Sequence, residues 1–138
     1  MIRIDSVLLI VAGSLALLGA AVHGAGGEVL VVRRLSPGML PASRLGGPNM
    51  TMAMIHASWH MTTVAFLAAG IALMLSGTVV EGDASRALAM LAAGAFTGFA
   101  AVAVVSGAAQ TRSLRPLFEH PGPAILIATA GLAWWGAL

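Results

Sequence analysis

The chain has 138 residues, of which 59% are apolar and only 9% are charged, and its formal net charge is +2. Soluble domains carry about a quarter charged residues, and a chain this short cannot keep so much apolar surface away from water. The composition therefore excludes a water-soluble enzyme, a nucleic-acid-binding domain and a disordered protein. The lack of cysteine excludes disulfides, thiolate metal ligands and cysteine nucleophiles.

Four segments are apolar enough and long enough to cross a bilayer, which takes about 20 helical residues. Backbone groups in lipid must find their hydrogen-bond partners within the protein, and none of the four segments alternates like a barrel strand. We therefore predict an all-α integral membrane protein, with residues 1–138 in one membrane domain. Its four transmembrane helices form an up-down bundle and are predicted at about residues 6–32, 50–75, 84–109 and 121–138.

Four spans place both chain termini on one side, which we call the terminal side; a tight turn at about residues 77–85 lies there too. The opposite side, which we call the loop side, carries a surface loop at about residues 33–49 and a shorter connection at about residues 110–120. Five of the seven arginines fall on the loop side. The positive-inside rule therefore predicts a cytoplasmic loop side and periplasmic termini.

Two local patterns concern helix ends. Asn49 precedes the second apolar segment and is predicted to cap it. Glycines between His23 and Glu28 predict a break in the first helix, because each glycine costs roughly 1 kcal/mol in a helix. A break would let Glu28 turn toward His23, whereas in a straight helix the two side chains would point about 140° apart.

Two further patterns concern helix surfaces. Trp134 and Trp135 near the end of the chain are typical of an aromatic belt at the membrane interface, here on the terminal side. Gly94 and Gly98 form a GxxxG pattern in the third segment. Small residues allow helices to approach closely in lipid, so this pattern predicts packing within the chain or against another subunit.

All four histidines map to the loop side. His56 and His60 are four residues apart, so they share one helix face and could bind one ion. Imidazole and carboxylate ligands suit iron, copper or zinc, and nearby thioethers of Met50, Met52, Met54 and Met61 favour copper. The predicted metal ligands are His23, Glu28, His56, His60 and His120.

Haem b is the alternative cofactor, because two histidines on different helices can ligate its iron. His23 with His60, or His60 with His120, would serve, and Gly19, Gly24 and Gly27 would make room for the ring. A plainer interpretation treats the histidines as amphipathic residues of the membrane interface. In that interpretation His120 caps the fourth helix and the methionines fill space.

The chain resembles small four-helix bacterial inner-membrane proteins. The resemblance lies in His23 with Gly27-Glu28, in Trp59-His60, and in His120-Pro121 followed by an apolar helix that ends in Trp-Gly. It covers most of the chain but not the Gly- and Pro-rich loop after Arg34. It implies a bacterial inner-membrane location and a site formed by His23, Glu28, Trp59, His60 and His120.

These patterns support two functions. The first is a membrane protein that binds a transition metal or haem for redox chemistry or metal handling. The second is an accessory or structural subunit of a larger membrane complex, with a homo-oligomer or other membrane subunits as partners besides lipid. A metal with an open coordination position could also support enzyme chemistry. A transporter is disfavoured, because the middles of the third and fourth segments carry no charge.

Overall fold

The computed structural model describes residues 3–41, 44, 46–113, 115 and 119–138. These residues form helices and turns, without a strand among them. The first helical region joins α1, a π-helical turn, α2 and a short 3₁₀ turn. Its parts are α1 (Ile4–Ala21), the π turn (Val22–Gly26), α2 (Gly27–Leu30) and the 3₁₀ turn (Val32–Arg34). The later helices are α3 (Gly47–Thr78), α4 (Gly82–Thr111) and α5 (Pro121–Ala137).

Three helical regions are long and apolar enough to cross a membrane. They are Ile4–Arg34, Gly47–Thr78 and Gly82–Thr111, with 31, 32 and 30 residues. The all-helical class and three of the predicted spans are therefore confirmed in length and composition. The helix α5 has only 17 residues, or about 25 Å at 1.5 Å per residue, somewhat short of a hydrocarbon core of about 30 Å. A fourth span stays a prediction.

The long helices pack around a core of small residues and phenylalanines. The helix α1 contacts α3 and α5, and α4 contacts the same two helices. Close approach of α1 to α3 depends on Gly13, because a Cβ there would lie 3.0 Å from the carbonyl oxygen of Gly70. Phe66 of α3 meets Phe96 and Phe99 of α4 at ring-centroid distances of 5.7 and 4.9 Å. Small residues and aromatic rings thus set the helix spacing.

Two expectations about helix ends are wrong. The helix α3 begins at Gly47, so Asn49 lies inside its first turn and is not its cap. Gly46 and Gly47 adopt φ of 125° and 73°, values that favour glycine, and this turn rather than a side-chain cap starts the helix. The glycine-rich stretch before Glu28 does not break the first helix, because a π turn keeps its backbone hydrogen-bonded. Positions 42, 43 and 45 of the predicted surface loop lie outside the described residues.

The two tryptophans and two glycines predicted to lie on helix surfaces have different environments in the structure. Trp135 is 73% exposed, in keeping with an interfacial position. Trp134 instead donates from Nε1 to Oγ1 of Thr97 at 3.0 Å and so links α5 to α4. A Cβ on Gly94 or Gly98 would meet nothing within 4 Å. The GxxxG pattern therefore faces away from the other described residues, which leaves contact with another subunit as its predicted role.

Candidate metal centre

The π turn sets which residues of the first helical region face α3. The amide of Gly27 donates to the carbonyl oxygen of Val22, five residues earlier. This i to i+5 bond inserts one extra residue into the turn and changes the helix register after it. As a result His23 and Glu28 both lie against α3, where an unbroken α-helix would have placed them on different faces.

Close contact with α3 also explains the glycines of this turn. A Cβ added to Gly27 would overlap the ring of Trp59, and one added to Gly24 would lie 2.7 Å from Cγ2 of Thr63. Trp59 donates from Nε1 to the carbonyl oxygen of His23 at 3.0 Å. Glycine therefore lets the π turn approach α3 closely enough for the indole to bind its backbone.

The imidazole of His23 is held by three side chains of α3. It stacks on the indole of Trp59 with ring centroids 4.4 Å apart and an angle of 13° between the planes. Its Nδ1 lies 3.0 Å from Oγ1 of Thr63, and Phe66 lies 5.4 Å from it, centroid to centroid. Oγ1 of Thr63 also lies 3.3 Å from the carbonyl oxygen of Trp59, within hydrogen-bonding distance. These contacts fix the orientation of the His23 imidazole, and its tautomer decides which atom donates to the other.

Glu28, His56 and His60 form a cluster with metal-ligand spacing, which we call the His2Glu cluster. One ligand atom from each side chain lies within 4.8 Å of the other two. Oε2 of Glu28 lies 3.3 Å from Nε2 of His60, and Oε1 accepts a hydrogen bond from Nε of Arg33 at 3.2 Å. The arrangement brings α2 and α3 together at one point, with two imidazoles and one carboxylate.

The carboxylate of Glu28 is mostly buried, in contrast to His60 and to the nearby Arg33. Its side chain is 17% exposed, against 51% for His60 and 68% for Arg33. Oε2 is buried and accepts no hydrogen bond of good geometry from any described residue. A buried acceptor without a partner costs about 1–3 kcal/mol, and more when it is charged. A positive charge between Glu28 and the imidazoles would remove this cost, either as a bound cation or as a proton on Nε2 of His60, which lies 3.3 Å from Oε2.

The other predicted ligands lie outside the His2Glu cluster. His23 belongs to the stack with Trp59, and Nδ1 of His120 accepts from the amide of Gly122 at 3.0 Å at the start of α5. The latter contact is the capping role of the plainer interpretation. Among the methionines expected to favour copper, Met50, Met54 and Met61 are exposed, so the described residues do not hold their sulfur atoms in a packed site.

The space predicted for a haem ring is largely filled. Gly24 faces Thr63 and Gly27 faces Trp59, and only Gly19 of the three glycines has open space beside it. The small residues of the first helical region therefore accommodate α3 side chains. This packing does not fit a porphyrin between His23 and His60.

Arg33 and Thr63 are parts of this region that the sequence did not point to. In the sequence Arg33 is only one of five positive charges on the loop side, and nothing marks Thr63 except its place four residues after Trp59. Trp59 is indicated as a site residue only by the resemblance. Glu28 and Arg33 are five residues apart, whereas side chains that pair on a regular helix are three or four residues apart. The sequence pattern therefore does not predict their contact.

No protein-family model, curated protein or solved structure matches the chain. The resemblance to small four-helix membrane proteins thus stays an expectation from the sequence. Support for a function comes from the geometry and chemistry of the site.

Proposed function

We propose that this protein binds a divalent transition metal ion through Glu28, His56 and His60 and acts in metal handling or redox chemistry in a membrane. The observation that carries the proposal is the buried Oε2 of Glu28, which accepts no hydrogen bond from the described residues and lies beside two imidazoles. Two histidines and one carboxylate are the protein ligands of several zinc and non-haem iron sites.

The proposed site lies near the membrane boundary on the loop side. His60 is 18 residues and His56 is 22 residues before Thr78 at the end of α3, which correspond to about 27 Å and 33 Å along the axis. A hydrocarbon core is about 30 Å thick. With Thr78 at the terminal-side boundary, the two histidines fall at the opposite boundary, where ions from water can reach them.

The remaining topology belongs to the same proposal. We place α5 as a fourth transmembrane helix that completes an up-down bundle, since it contacts both α1 and α4. The arginine distribution supports a cytoplasmic loop side in a bacterial inner membrane. The metal ion would then bind on the cytoplasmic side.

The set of ligands narrows the choice of metal ion. Imidazole suits zinc, iron and copper alike, whereas a carboxylate in the set favours zinc or iron(II) over copper(I). Zinc or iron(II) is therefore the ion we propose. Haem b is left out of the proposal because Trp59 and Thr63 occupy the space beside Gly27 and Gly24.

The test is the metal content of protein purified without a polyhistidine tag. We expect about one zinc or iron ion per folded chain, and loss of that ion in His56→Ala and in His60→Ala. His120→Asn is the matched control, because asparagine keeps a capping acceptor at a histidine outside the cluster. Metal-free folded wild-type protein after reconstitution with either ion, or equal content in His60→Ala, would contradict the proposal.

A role as an accessory subunit is the second candidate, and the outward-facing Gly94 and Gly98 favour it. Such residues allow a helix of another chain to approach α4 closely. Native mass spectrometry of proteins ejected from untreated membranes is the test. A complex whose mass is not a whole multiple of the chain mass supports this role, a whole multiple supports self-association, and a monomer argues against both.

A further inference from the structure

The charges around the His2Glu cluster do not balance once a metal ion is bound. This inference rests on the function proposed above. Glu28 supplies one negative charge, and the guanidinium of Arg33, whose Nε lies 3.2 Å from Oε1, already compensates it. A divalent ion beside this pair would leave two positive charges uncompensated. Uncompensated charge near a membrane boundary is costly, so the centre should attract an anion.

The cluster also leaves room for a ligand from outside the protein. The described histidine and acidic residues contribute three ligands, and zinc or iron sites with three protein ligands keep at least one position for water or another ligand. His60 and Arg33 are about half and two-thirds exposed. A ligand that approaches from the membrane boundary can therefore contact a metal ion beside His60 and the guanidinium of Arg33 at the same time.

We propose that a phosphate oxyanion occupies this open position and also binds the guanidinium of Arg33. Arginine presents parallel N–H donors that match the geometry of phosphate oxygens, and such charge-assisted bonds are among the stronger ones in proteins. With Thr78 at the terminal-side boundary, His56 and His60 lie at the inner edge of the lipid head groups on the loop side. The phosphate group can therefore come from an anionic phospholipid or from free phosphate, and its recognition chemistry is the same in both cases.

The experiment uses full-length protein loaded with cobalt(II), whose visible absorption reports changes in coordination. Loaded protein in neutral nanodiscs is titrated with inorganic phosphate in one arm and with short-chain phosphatidic acid in the other; chloride at equal ionic strength is the reference. We expect a saturable spectral change in at least one arm and none with chloride. The arm that responds identifies the source of the phosphate group.

Arg33→Gln is the decisive variant, and Arg34→Gln is its matched control. Arg34 is the next residue and is also exposed, but among the described residues the arginine that pairs with Glu28 is Arg33. We expect Arg33→Gln to weaken phosphate binding by about tenfold, the effect of one lost charge-assisted contact, and Arg34→Gln to leave it unchanged. Cobalt binding is measured separately for each variant.

The outcomes separate this inference from the function on which it rests. Cobalt binding without a spectral response to either phosphate source overturns the inference and leaves the metal site standing. Equal phosphate affinity in the two arginine variants overturns the role of Arg33. Failure to bind cobalt, zinc or iron in folded wild-type protein overturns the metal site, and the inference with it.

Discussion

The indole of Trp59 stacks on the imidazole of His23 and also binds the backbone of that residue. The ring centroids are 4.4 Å apart, and Nε1 of Trp59 donates to the carbonyl oxygen of His23 at 3.0 Å. Carbonyls in a π turn are displaced from the regular α-helical hydrogen-bond pattern, so this donor stabilises the turn directly. Because Glu28 follows the turn, Trp59 helps to position a proposed metal ligand.

Trp59→Phe tests that link, because phenylalanine keeps an aromatic ring but lacks the N–H donor. Loss of one hydrogen bond costs about 1 kcal/mol, so we expect Tm to fall by about 4 °C and metal affinity to fall by roughly tenfold. Circular dichroism melting and competition with a chelator measure the two effects. Trp135→Phe, at an exposed tryptophan, is the control. Wild-type metal affinity in Trp59→Phe would show that the indole does not position Glu28.

Gly27→Ala tests the close contact between the π turn and α3. The added Cβ overlaps the Trp59 ring, and such overpacking costs about 1–3 kcal/mol. We expect lower thermal stability together with weaker metal binding. Gly98→Ala adds the same methyl group where nothing lies within 4 Å, and its stability should equal or exceed that of the wild type. Equal stability of the two variants would argue against the described contact.

Glu28→Gln tests whether the cluster is a metal site or a buried network of charges. Glutamine keeps the shape and can still accept from Arg33, but it lacks the negative charge that a metal ion needs. If Glu28 binds the metal ion directly, we expect the metal affinity to fall by more than about 100-fold. That is the upper end of the loss seen when a residue that only hydrogen-bonds to a metal ligand is replaced. Glu119→Gln is the control, since Glu119 pairs with Arg115 on the surface at 2.9 Å. A large loss of stability in Glu28→Gln without an effect on metal would indicate a structural ion pair with His60 and Arg33.

Acid should release the metal ion. Histidine binds a metal ion only as a neutral imidazole, so metal binding to histidine ligands releases protons and weakens in acid. We therefore expect metal occupancy to fall as the pH is lowered from 7.5 to 5. Metal content after equilibration between pH 7.5 and pH 5 measures the effect, and His120→Asn should follow the wild-type curve. Full occupancy at pH 5 would exclude a site in which two histidines bind the ion.

The parts of the structure that hydropathy determines were predictable from the sequence. Uninterrupted apolar stretches located the helical regions, and a spacing of four residues put His56 and His60 on one face of α3. The position of Glu28 was not predictable, because it depends on whether a glycine-rich stretch breaks the helix or forms a π turn. Arg33 could not be assigned for the same reason. The environments of His23 and His120 depend on side-chain contacts that composition does not encode.

The π turn lets the first helical region carry one residue more than a regular α-helix needs to bring His23 and Glu28 to the same side. Deleting Ala25 would shorten their spacing from five residues to four, which an unbroken α-helix keeps on one face. We therefore expect the shortened chain to remain helical by circular dichroism and to keep its metal ion, whereas loss of the ion would show that the π geometry itself positions Glu28. Chains that are one residue shorter at this turn could thus carry the same ligands on a regular helix.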